Sequence, residues 1–138
     1  MNSQKFILGG IVGGILFFLL GYLVYGLALK SFFDDNGMAV DMNKIEWWAM
    51  IVGNLAGGFL LAYIMGKANV SSVAGGVATG LVVGLLMSLS FDLIMYGVGK
   101  GMTLKGVAAD VCAGAVMSAV IGGAIGWVYS MKRAVVAA

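Results

Sequence analysis

An all-α bundle of four membrane-crossing helices is the fold this sequence predicts, and three observations carry the prediction. Of its 138 residues, 62% are hydrophobic and only 10% charged, with a mean hydropathy of +1.05. A soluble domain of this length needs more polar surface to stay in solution. The apolar residues gather into four runs, at 6–29, 47–66, 73–98 and 106–131, each long enough to cross ~30 Å of hydrocarbon as a helix. One longer connection (30–46) and two short ones separate them, and short connections make neighbouring helices antiparallel. The expected organisation is one up-down-up-down transmembrane domain over 1–138.

The first run could be taken for a signal peptide, but its apolar stretch is too long for an h-region and no A-x-A-like site follows. Its "GGIVGG" lies inside an apolar helix with no preceding strand, which removes support for a nucleotide loop. The second run opens on Trp47 and Trp48, an aromatic pair suited to a membrane interface. The third contains "SFDLIMYG", with Asp92 inside otherwise apolar surroundings. The fourth carries Asp110 in its first turns and Trp127 near its end. The chain has no proline, so no helix has a proline kink.

Orientation follows from the ends. One side holds Lys5, Lys67, Lys132 and Arg133 without acids; the other holds Lys30, Lys44, Lys100 and Lys105 among Asp34, Asp35, Asp41 and Glu46. The Lys/Arg count is a tie, and the uncompensated basic side favours both termini in the cytoplasm. Trp47 and Trp48 then anchor the outer interface, while Trp127, Tyr129 and Tyr63 lie toward the inner one.

The 23 glycines would weaken helices in water. Read in steps of four, however, they form ridges. The third run gives Gly76, Gly80, Gly84, Ser88 and Asp92; the fourth gives Gly106, Asp110, Gly114, Ser118, Gly122 and Gly126. Residues four apart share one helix face, and small ones let two backbones approach closely, a main adhesive between helices in lipid. Gly9, Gly13 and Gly21, Gly10 with Gly14, Gly53 with Gly57, and Asn54 with Gly58 repeat the device in the first two runs. Some of these ridges are free to serve a homo-oligomer, a dimer first of all. A weak internal repeat (Gly9, Gly13, Tyr25, Gly26 against Gly80, Gly84, Tyr96, Gly97) fits a duplicated helical hairpin.

Composition excludes several functions. A net charge of +2 without a basic cluster gives no reason to expect nucleic acid. The absence of histidine removes the usual general base and commonest metal ligand. Cys112 is the one cysteine and reads as a small packing residue. The outer-side methionines (Met38, Met42, Met95, Met102) show no tight repeat and read as packing or loop residues. No cofactor or metal is expected, and no enzyme.

What remains is polar and in the outer half. Asp92 lies nine residues before Gly101 and Asp110 nine after it, which places both carboxylates at one depth in an antiparallel pair. Asn54 reaches a similar depth, Tyr22 and Tyr25 approach from the first helix, and Ser88 and Tyr96 flank Asp92. Two readings follow. In the structural one, Lys100 or Lys105 snorkels to the acids and interhelical hydrogen bonds satisfy them. In the functional one, ionisable groups within a membrane segment mark a site. Two carboxylates at short range do not both ionise easily, so the pair would bind a cation or exchange protons.

The stretches "GGIVGGILFFLLGYLVYGLALKSFF", "WWAMIVGNLAGGFLLAYIMGK" and "GLLMSLSFDLIMYG" resemble a group of small four-helix membrane proteins of bacteria, frequent in Bacteroidota and of unknown function. The resemblance covers most of the chain and implies a bacterial inner-membrane protein; it supplies no catalytic residues. The expected function is therefore binding of a lipid, a small amphiphile or a partner membrane protein in the outer half. The alternative is a proton- or cation-coupled transporter or channel using Asp92 and Asp110.

Overall fold

The computed structural model describes residues 1–132, and Arg133 lies outside them. Five α-helices form the chain: α1 (Ser3–Gly21), α2 (Lys30–Asp35), α3 (Trp47–Lys67), α4 (Val73–Gly97) and α5 (Leu104–Ser130). Among the described residues there is no strand. Four helices are long and apolar enough to cross a membrane, with mean hydropathies of 2.4, 1.7, 2.0 and 1.9. This is an all-α four-helix bundle and a membrane protein. Most of its large apolar side chains, such as Leu19, Val52, Leu86 and Val116, face outward, as a lipid-facing surface requires.

Local sequence sets the helix starts. The Asn2 side chain accepts from the Gln4 and Lys5 amides at the head of α1. Ser72 Oγ accepts from Gly75 N, and Thr103 Oγ1 from Gly106 N, at the heads of α4 and α5. Each cap satisfies an amide that the helix itself leaves free.

The first membrane helix is not uniform. After Gly21 it runs on as a π-helical segment, Tyr22–Ala28, and Leu29 N donates to Val24 O at 2.8 Å, five residues back. The connection after it also contains structure the sequence did not reveal, the short α2 and a 3-10 turn at Met42–Lys44.

The helices associate as two hairpins. α4 packs along α5 and α1 along α3; α1 also lies against α5 and so joins the hairpins, while α3 and α4 barely meet. Glycine makes both seams. A methyl group at Gly76 or Gly80 would drive into the carbonyl of Gly122 or Ser118, and one at Gly126 into that of Ser72. On α1, Gly10 and Gly14 face Phe59 and Leu55 of α3, while Gly9 faces Tyr129 and Ile125 of α5. Gly106 instead sits under Asn36 and Met38 of the connecting loop.

The core lies in the half of the bundle that holds the N-terminus and the α3–α4 turn, termed the inner half after the expected orientation, with the opposite half termed the outer. Leu61, Ala62 and Met65 of α3 interlock with Ile121, Ile125, Val128 and Tyr129 of α5. The Tyr129 hydroxyl donates to Ala62 O at 2.7 Å, and Lys5 Nζ donates to Tyr129 O at 2.8 Å. These bonds satisfy polar groups that lipid could not.

Candidate functional site

The outer half is built differently. Asp92 lies five residues before the end of α4 and Asp110 six after the start of α5, so each is ~7–9 Å inside its helix end at ~1.5 Å per residue. Ser88 and Gly114 touch across the α4–α5 seam, and Asp92 and Asp110 follow them by one turn on the same two ridges, so both carboxyls fall in one layer of the seam. Asp92 is 2% exposed, and its Oδ2 has no hydrogen-bond partner.

Asp110 is half-buried and accepts a short hydrogen bond from the Tyr25 hydroxyl. Tyr25 projects from the π-helical segment, where the extra residue per turn changes which side chains face the bundle. Such segments recur at functional sites.

Among the described residues no cation pairs with either acid. Among the described residues the ion pairs are Lys30–Asp34 and Lys44–Asp41, both in the outer connection. Lys100 and Lys105 are exposed and pair with neither carboxylate, so the snorkelling arrangement expected of them does not occur. The carboxyl pair is instead met by one hydroxyl, which leaves an oxygen of Asp92 without any donor.

Above the acids the outer connection forms a cap. Phe33 of α2 is 2% exposed and packs on the Tyr25 ring with centroids 5.1 Å apart. A strap holds this cap down: Thr103 N donates to Asn36 O at 3.1 Å, and Thr103 Oγ1 donates to Asn36 Oδ1 at 2.7 Å. Gly37, at φ +80°, brings its backbone so close to Gly101 that no side chain would fit between them. A β-carbon there would be both strained and obstructed.

Two cavities lie beside Tyr25, the residue that bonds Asp110. The larger, of about 410 Å³, lies between α1, its π-helical continuation, α3 and the loop at Val40–Ile45. Its walls include Phe17, Phe18, Tyr22, Tyr25, Trp47, Met50, Asn54 and Met117. The smaller, of about 300 Å³, fills the gap where α3 and α4 separate, against Phe17, Tyr25, Leu61, Ser88, Gly114 and Met117. Tyr25, Phe17 and Met117 are common to both. Ser88 and Gly114 stand one turn from Asp92 and Asp110; neither acid lines the smaller cavity, and Tyr25, which lines both cavities and bonds Asp110, links them to the pair.

The candidate residues are therefore distributed as follows. Asp92, Asp110 and Tyr25 form one cluster, Ser88 lines the space beside it, and Tyr22 and Asn54 line the larger cavity. The Asn54 amide is already engaged, donating to Met50 O at 2.7 Å. Tyr96 faces outward, 41% exposed, and lines neither cavity. Trp48 and Trp127 project outward, whereas Trp47 is also a cavity wall, tilted against Phe18 at 6.3 Å. Phe17, Phe33 and Met117 were not singled out from sequence. The adjacent aromatics Phe32 and Phe33 inside a polar connection were the available signal for the cap.

No protein-family model matches the chain, and no curated protein or solved structure matches it either.

Proposed function

We propose that this protein is a non-enzymatic membrane protein whose outer half binds a small amphiphile, taken into the cavity beside Tyr25. The observation that carries the reading is that cavity itself. It is about 410 Å³, walled almost wholly by aromatic and aliphatic groups, with Asn54 and two tyrosines as its polar points. Concave, mostly apolar spaces with a few convergent polar groups are the usual form of a small-molecule site. The absence of histidine supports a binding role over catalysis. The setting is a bacterial inner membrane with both termini in the cytoplasm, and the lipid-facing small residues offer room for a second copy or a partner membrane protein.

The test uses Trp47, which forms one wall. In a Trp48→Phe/Trp127→Phe background reconstituted in nanodiscs, bromoundecanol should quench Trp47 saturably. Gly21→Leu should abolish the saturable part. A methyl at Gly21 meets only Met117, 4.0 Å away, so a longer side chain there occupies cavity space without colliding with backbone. Quenching that rises linearly with probe, or is indifferent to Gly21→Leu, would sink the proposal.

A further inference from the structure

We infer that the carboxyl pair and the two cavities form one composite site for an amphiphile with a net cationic head, an alkyl amine or alkyl ammonium. Its head is taken by Asp92 and Asp110 and its chain lies along Tyr25 and Met117. This rests on the reading of the outer cavity as an amphiphile site and names the chemistry it selects.

Three independent features converge on it. Asp92 is buried and keeps one oxygen without a donor. An unmatched carboxylate in such surroundings is costly, and an opposite charge offsets that cost when it arrives at close range. Asp110, in the same layer of the seam as Asp92, is held by the Tyr25 hydroxyl, a neutral donor that a cation can replace. Tyr25 is also a wall of both cavities, so a chain in either one brings its head to the ring, and displacing the Tyr25 hydroxyl gives that head the acids. An aromatic face adds attraction for an ammonium group.

The same features argue against a phospholipid head. A phosphate placed here would face two carboxyls, and among the described residues no lysine or arginine pairs with either acid. The π-helical turn carrying Tyr25 supplies the moving part. Return of Tyr22–Ala28 to α-helical spacing would turn Tyr25 away from Asp110 and open the smaller cavity onto the acids.

The experiment compares three brominated probes by Trp47 quenching in nanodiscs of zwitterionic lipid: bromoundecyl-trimethylammonium, bromoundecanol and a brominated lysophosphatidylcholine. The ammonium probe should bind at least about tenfold more tightly than the alcohol. That preference should fall toward unity in Asp92→Asn and in Asp110→Asn, and persist in Asp110→Glu, which keeps the charge. Size-exclusion profiles and thermal midpoints establish that each variant is folded, and the two single variants report independently. Equal affinity for ammonium and alcohol, or a preference untouched by both asparagine variants, overturns the composite site and leaves the cavity reading standing. Lysophosphatidylcholine binding as tightly as the ammonium probe overturns the net-cationic requirement. If neither ammonium nor alcohol saturates, or both ignore Gly21→Leu, the cavity reading and the composite site fail together.

Discussion

The inner and outer halves of this bundle use the same four helices and pack them in opposite ways. Toward the inner end, Leu61, Met65, Ile121 and Ile125 fill the space between α3 and α5, and the polar atoms of Tyr129 and Lys5 are matched. Toward the outer end, α3 and α4 part, two cavities open, and a buried carboxylate is left with an unmatched oxygen. In lipid the helices gain no hydrophobic effect by associating, so close packing and satisfied polar groups must hold them. The inner half meets both conditions. The outer half gives up both around Tyr25, Asp92 and Asp110. Local departures from well-packed, well-satisfied structure concentrate where proteins bind or react, and the contrast supports the proposal of a site in the outer half.

The largest effect is expected in the α4–α5 seam. Gly80→Leu forces a side chain into the Ser118 carbonyl; overpacking of this kind costs about 3 kcal/mol or more, read as loss of the folded peak in size-exclusion chromatography. Gly53→Leu, where a methyl meets nothing within 4 Å, should leave that peak unchanged. A tolerant Gly80 would erase the distinction between seam and surface.

Next in size is the reversal at the acid pair. Asp92→Asn gives the buried, partnerless position an amide that can donate to Asp110, and should raise the thermal midpoint, by roughly 1–2 kcal/mol of stability. A lower midpoint would mean that the carboxylate is structurally matched, and the proposed site would lose its basis.

A smaller effect belongs to the cap. Thr103→Ala removes the hydroxyl bond to Asn36 and the cap of α5, costing about 1 kcal/mol. Hydrogen exchange should then quicken across 30–46 while Leu61–Met65 stay protected. Quickening in both regions would show that the two halves are not separable. The smallest effect is that of Gly21→Leu, expected within about 0.5 kcal/mol of the parent, since the side chain enters existing space. A large loss of stability would show that the cavity is not open.

Much of this was legible in the chain. Four apolar runs dictate four helices, and steps of four through Gly76–Gly84 and Gly114–Gly126 give the faces that meet. Equal counting from Gly101 puts Asp92 and Asp110 at one depth, because antiparallel helices with a short turn preserve symmetry about that turn. The π-helical turn was not legible. "YLVYGLA" reads as ordinary helix, and the contacts Tyr25 makes with Phe33 of α2 and Asp110 of α5 are long-range ones that local spacing does not reveal. Phe33 was hidden because the connection around it is polar, and its burial depends on the distant pairing of Asn36 with Thr103. The internal repeat is similarly instructive. Gly13 and Gly84 both sit in tight seams, yet Tyr25 points inward and Tyr96 outward, so the two hairpins part company at their outer ends.

The most direct test of the difference between the halves uses the methionines already present. Met117 is 8% exposed yet borders both cavities, while Met65 is 0% exposed within the inner core. With methyl-labelled methionine in nanodiscs, an alkyl ammonium carrying a nitroxide on its chain should broaden the Met117 resonance saturably and spare that of Met65. Equal broadening of the two, or a Met117 signal untouched by the probe, would contradict the account.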